Sequence, residues 1–187
     1  MEKQLEASVH AAIAFMEERG FRYALIGGIA LAQWGVVRAT YDVDFKVLVP
    51  NNEYFVVRDA LREAFPKRAR PEVPQNPLIV DVIVGGIVVD FLLALPGYEE
   101  QIVERAIQRD LNGWSAWVCS AEDLIIQKVV AGRDKDWLDV EALLLEQNQV
   151  LDEVYVYNWL TEFAEALDNT ELLTRYKRLL AQAKGTH

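Results

Sequence analysis

Thirteen residues separate the bare glycine pair Gly27-Gly28 from the triplet Asp42-Val43-Asp44. Carboxylates at i and i+2 on a strand share one face, and a third acid from a neighbouring strand would complete an oxygen cage for a divalent cation. Asp81, in LIVDVIV, and Asp90, in IVVDFLL, both qualify for that third position, and spacing alone does not choose between them. Hard oxygen donors suit Mg²⁺, with Mn²⁺ as a substitute, and Mg²⁺ usually keeps water and substrate phosphates in its shell. Without a cation or a bound proton, converging carboxylates destabilise a sheet and raise one another's pKa. The glycines supply the complementary half. Lacking side chains, Gly27 and Gly28 let backbone N–H groups at the start of the next helix approach an anion such as phosphate. A phosphate cradle beside a metal cage is what phosphoryl or nucleotidyl transfer requires.

The elements that must position these groups are legible from periodicity. Leu5, Val9, Ala12, Ile13 and Met16 mark one face of an opening helix that stops at Gly20. FRYALI reads as a buried strand and, after the glycines, IALAQWG as a short helix. In residues 41–49, Val43, Phe45, Val47 and Val49 point one way, and Asp42, Asp44, Lys46 and Leu48 the other. NEYFVVRDALREAF is helical, and a proline-rich loop covers residues 66–77. LIVDVIV and IVVDFLL flank Gly85-Gly86, a two-residue hairpin signal that sets Val84 opposite Ile87 and Asp81 opposite Asp90. Residues 98–109 read as helix, GWSAWVCS as strand, and the rest as helix interrupted near Gly132, Asn148 and Asn169. The fold class expected is α/β (α+β): a small mixed sheet flanked by helices over residues 1–119, then a helical subdomain over 120–187 packed on it.

IGGIALAQWGVVRATYDVDF resembles the signature of DNA polymerase β-like nucleotidyltransferases, in which a glycine turn opening a helix precedes Asp-x-Asp on a strand. Arg38-Ala39-Thr40, IVVDFLLA and SAEDLIIQKVVAGRDKDWLDVEALL are similar to the small AbiEii-like branch, which includes toxin–antitoxin and phage-defence enzymes. The resemblance covers residues 20–145 and implies a nucleotidyltransferase fold in which Asp42, Asp44 and Asp90 hold two Mg²⁺ ions. It makes Gly27 and Gly28 the phosphate turn, and it favours Asp90 over Asp81. Many relatives carry Ser where Gly28 stands, so that hydroxyl is absent at residue 28 here. The implied reaction moves a nucleoside monophosphate from an NTP to an acceptor hydroxyl on a protein, an RNA 3′-end or a small molecule. A cognate toxin or antitoxin protein is a possible partner.

Other residues carry two readings. Arg38 and Thr40 are candidate nucleotide contacts, although Arg38 would equally pair with an acid and Thr40 with local backbone. Lys128 lies on the apolar helix LIIQKVVAG, where lysine commonly snorkels to solvent, while the resemblance sets it near the nucleotide. Arg133, Lys135, Asp136 and Asp139 are read first as helix-cap and i,i+3 or i,i+4 pairs. His10 and His187 offer no catalytic dyad, and Cys119 is a packed thiol.

Composition narrows the classes further. A chain of 187 residues, 52% hydrophobic, buries enough surface to fold unaided, and one cysteine excludes an internal disulfide framework. The formal charge of −10 argues against generic DNA binding; Lys67, Arg68 and Arg70 are one candidate for a local basic patch, although three basic residues in a loop are more often solvated surface. LIVDVIVGGIVVDFLLAL contains two aspartates and a Gly-Gly pair, which argues against a membrane span. MEKQLEASVHAAIAFMEERG lacks the apolar core of a signal peptide, so a cytoplasmic location is expected. The rival function is a non-catalytic antitoxin-like or regulatory module that binds partners through its acidic surface; phosphohydrolase chemistry at the same carboxylates is a weaker third.

Overall fold

Positive φ at both Gly85 (56°) and Gly86 (87°) closes a tight hairpin, the conformation a two-residue primed turn demands and glycine adopts without strain. It joins β3 (Ile79–Val84) to β4 (Ile87–Leu93) in the register read from the sequence, Val84 opposite Ile87 and Asp81 opposite Asp90. This hairpin is one end of a six-stranded mixed sheet in a computed structural model that describes residues 3–68, 76–111, 113–147 and 150–185. Arg70, Asn148 and His187 lie outside the described residues.

The remaining strands are β1 (Tyr23–Ile26), β2 (Asp42–Val47), β5 (Ile107–Asp110) and β6 (Ser115–Val118), giving the order β3-β4-β2-β1-β6-β5. β2 pairs parallel with β4 and antiparallel with β1, and β1 pairs parallel with β6. Chain contacts divide the protein into two compact units, Met1–Ile29 with Ala39–Cys119, and Ala30–Arg38 with Ser120–His187. All six strands belong to the first.

Across β2, β3 and β4 one face of that sheet is wholly apolar. Val43, Phe45, Val47, Val80, Val82, Val89 and Phe91 are all sealed from solvent. Phe91 stacks on Phe45, with ring centroids 5.5 Å apart, and on Phe65 at 6.1 Å. Phe65 in turn meets the edge of Phe15 on α1 (Lys3–Glu18), which buries Leu5, Val9, Ala12, Ile13 and Met16, the face its periodicity marks. The Ser8 hydroxyl, buried in this layer, is satisfied by donating to the Val84 carbonyl at 2.7 Å. α2 (Gly27–Gln33) begins at Gly27 itself, α3 (Tyr54–Ala64) packs on β3, and α4 (Tyr98–Glu104) on β1 and β2.

The predicted helix over 98–109 is shorter than expected: α4 ends at Glu104, and residues 107–110 form β5. Ile107 aligns with Val118 and Asp110 with Ser115, so strand pairing at the sheet edge overrides the local helical pattern.

The second unit is helical. α5 (Ala121–Ala131) starts at the Ser120 cap, whose side chain accepts from the Asp123 N–H at 3.0 Å, and ends at Gly132 with φ 66°. α6 (Asp134–Gln147), α7 (Glu153–Ala166) and α8 (Glu171–Gly185) follow and pack mutually around Leu124, Ile125, Val140, Leu143, Leu144, Val156 and Leu160. Among the described residues no helix is long and apolar enough to cross a membrane.

Phe91→Ala removes the central ring of the aromatic stack from a fully buried position. It should lower stability by about 3–5 kcal/mol, seen as a fall in the urea midpoint with an unchanged slope.

Candidate active site

β1 runs out at Ile26, whose register partner on the antiparallel β2 is Asp44. The chain then turns at Gly27, with φ 64°, a conformation that disfavours any side chain. Space forbids one as well. A Cβ on Gly27 would stand 2.1 Å from Asp44 Oδ2, and one on Gly28 would stand 2.0 Å from Thr40 Oγ1. The glycine pair is bare because an acidic oxygen and a hydroxyl already fill its side-chain space, and the turn thereby lies directly against the acidic strand.

The aspartates share one sheet face, as their alternation predicts. Asp44 aligns with Asp90 on the parallel neighbour β4, and Asp90 aligns with Asp81 on the antiparallel β3. Since β4 lies between β2 and β3, Asp90 stands next to Asp44, whereas Asp81 is two strand spacings away, about 10 Å. Strand order makes Asp90, and not Asp81, the immediate neighbour of Asp44. Asp42 is exposed and aligns with Val88; Asp44, Asp81 and Asp90 are half-buried.

Among the described residues, no three His, Cys, Asp or Glu side chains are grouped closely enough to hold a metal ion. The expected three-acid cage exists as aligned backbone positions rather than as a closed ligand set. Asp42 lies about 7 Å along the strand from Asp44, and Asp44 presents Oδ2 to the Gly27 turn. The donor chemistry still fits Mg²⁺, which is usually held through one or two carboxylates together with substrate phosphates rather than by an all-protein cage.

A cation shares this face. Lys46, two residues beyond Asp44, is 4% exposed, and its Nζ lies 2.8 Å from Glu99 Oε1 on α4. Glu99 Oε2 also accepts from the Leu95 N–H at 2.8 Å, which fixes the carboxylate. Strand alternation places Lys46 beside the aspartates, but its partner lies 53 residues away and is invisible to local reading.

Arg38 and Lys128, the other candidate nucleotide contacts, are brought together in the second unit. Arg38 Nε donates to Asp139 Oδ1 at 3.1 Å, and Lys128 Nζ donates to Asp139 Oδ2 at 2.6 Å. Lys128 also lies 3.6 Å from Asp136, which pairs with Arg133 three residues earlier. Lys128, Asp136 and Asp139 are all buried, so this lysine is paired inside the unit and does not snorkel. Burial pushes the Asp136 carboxyl up, but the hydrogen bond from Arg133 and the charges of Lys128, Arg133 and Lys135 outweigh it and hold the group below its ordinary value. The i,i+3 pair expected from sequence is present; the link from α6 to Lys128 on α5 is additional.

Comparison with known proteins gives three findings. A family model described as a nucleotidyltransferase of unknown function (DUF6036) matches residues 5–183. No curated protein matches. The chain is similar in structure to an antigenic nucleotidyltransferase-like protein from Paracoccidioides brasiliensis, at 18% identity and TM-score 0.52, over 93% of this chain and 91% of that one. It is also similar to the antibiotic-resistance factor ANT(2'')-Ia, at 18% identity and TM-score 0.54 over 100% of both chains. A third likeness is to the lincosamide antibiotic adenylyltransferase LnuA, at 15% identity and TM-score 0.52, over 76% of this chain and 96% of that one. At such identities the likeness is one of fold.

Two outcomes follow from the geometry. Gly27→Ala forces a Cβ into a left-handed position and against Asp44, so thermal denaturation should show a loss of at least about 1 kcal/mol. Asp136 has a depressed folded-state pKa; its contribution is therefore present above the unfolded value of about 3.9 and is lost as pH falls through the folded one. Asp136→Asn should be less stable than the parent at pH 7, and the gap should close as urea titrations are repeated toward pH 2.

Proposed function

From the premise that the chain belongs to this nucleotidyltransferase family, we propose that it transfers a nucleoside monophosphate from an NTP to an acceptor hydroxyl in a Mg²⁺-dependent reaction. One observation carries the reading. Asp44 is the register partner of Asp90 and fills the side-chain space of Gly27, so acidic oxygens and a bare turn share one place.

In this reading the backbone of the Gly27-Gly28 turn receives the triphosphate, at a distance from Asp44 that their packing sets. Asp44 and Asp90, joined by the exposed Asp42, would hold Mg²⁺, which when bound lowers the pKa of an attacking hydroxyl and neutralises charge on departing pyrophosphate. Asp42 is the one aspartate of the three exposed to solvent, which suits a group that completes its coordination only when nucleotide arrives. Attack by the acceptor oxygen on the α-phosphorus forms the new P–O bond as the bond to pyrophosphate breaks, and the acceptor's proton passes to solvent. Lys46 is held by Glu99, and in the proposed role it tempers repulsion along the acidic face without neutralising it.

The acceptor belongs to the same proposal. ANT(2'')-Ia and LnuA act in antibiotic resistance and antibiotic adenylylation, which makes small-molecule hydroxyls the first acceptors to try here, ahead of protein and RNA hydroxyls. An AbiEii-like role beside a cognate toxin or antitoxin fits the formal charge of −10, which would favour a basic partner.

The test is transfer of α-labelled nucleotide from each of four NTPs to a panel of hydroxyl acceptors and a cell extract, with pyrophosphate release measured in parallel. Transfer should require Mg²⁺ or Mn²⁺ and fall at least about 100-fold in Asp42→Asn/Asp44→Asn. Undiminished transfer in that double variant, or in EDTA, overturns the proposal.

A further inference from the structure

We infer that Thr40 supplies the side-chain hydroxyl of the glycine turn, filling the place a side chain on residue 28 would take and donating to the phosphate bound there. The inference rests on the nucleotide-transfer reading and deepens it by naming a phosphate ligand that the turn itself lacks.

The two glycines are bare for different reasons. Gly27 has φ 64°, so its backbone disfavours a side chain even before Asp44 fills the space. Gly28 does not have a positive φ, and its backbone would accept any residue. What bars a side chain there is Thr40. A Cβ on residue 28 would lie 2.0 Å from Thr40 Oγ1, 2.8 Å from its Cβ and 3.5 Å from its Cγ2. Side chains at positions 28 and 40 therefore exclude one another, and the chain has placed the occupant on residue 40.

Orientation of the occupant matters as much as its presence. The oxygen of Thr40 is the atom nearest the turn, and the methyl carbon is the farthest of the three. An apolar plug would be satisfied by the reverse orientation. A hydroxyl directed at the turn can donate to a phosphate oxygen, a charge-assisted bond stronger than one between neutral groups. Thr40 is half-buried and stands two residues before Asp42, so a single short segment carries both the proposed phosphate donor and the first proposed metal ligand.

Full-length protein titrated calorimetrically with ATP, GTP, CTP and UTP, each with Mg²⁺, tests this. For the tightest-binding triphosphate, Thr40→Val should weaken affinity about tenfold, and Thr40→Ser should stay within about threefold of the parent. In transfer assays the same loss should appear in KM for the triphosphate. Thr40→Gly clears the space beside residue 28, so Gly28→Ser/Thr40→Gly, which moves the hydroxyl back across the contact, should bind at least about fivefold better than Thr40→Gly alone. Thermal melts of every variant separate loss of fold from loss of binding. Parent-like binding by Thr40→Val, binding by Thr40→Ser as weak as that of Thr40→Val, or no recovery in the double variant overturns the inference while leaving nucleotide transfer standing. Failure of the parent to bind any of the four triphosphates overturns both.

Discussion

Asp44, Asp90 and Asp81 form one row across three neighbouring strands, and like charges in register work against the sheet that aligns them. The row is tolerated because the opposite face is a dry layer of valine and phenylalanine, with Phe91 held between Phe45 and Phe65. Slipping β4 by one residue against β2 would relieve the charges, but it would also turn that apolar set out to water. The hydrophobic face therefore pins the register, and the register imposes the acidic row.

The glycine turn depends on the same alignment. Ile26 pairs with Asp44, so the residues after Ile26 meet the side chains of the acidic strand and of the segment leading into it. Absence of side chains at Gly27 and Gly28 is a packing requirement set by Asp44 and Thr40 before any ligand is considered. Under the proposed function, that structural need and a chemical one coincide at the same two positions. In the second unit, charge pairing has the corresponding role. One buried carboxylate, Asp139, receives both Arg38 and Lys128, tying the segment that begins at Ala30 to α5 and α6.

Much of this was open to a linear reading. The alternation in DVDFKV, the Gly-Gly hairpin with its register and the opening amphipathic helix all follow from local periodicity, and the structure has them. Ile107–Asp110 did not follow, because that segment becomes strand through pairing with β6 and not through any pattern of its own. Lys46 with Glu99, and Lys128 with Asp139, were equally hidden, since an ion pair between separate elements leaves no periodic trace.

Residue order alone determined which groups share a face, because a strand's period of two and a helix's period of 3.6 are properties of the backbone. It thereby assigned Asp42, Asp44, Asp81 and Asp90 to faces and marked the bare turn as special. Tertiary structure alone decided that β4 lies between β2 and β3, so that Asp90 and not Asp81 adjoins Asp44. It also decided that Thr40 fills the space above Gly28. The physical reason is the same in both cases: which strands become neighbours, and which side chains then compete for one volume, depends on how the whole chain packs.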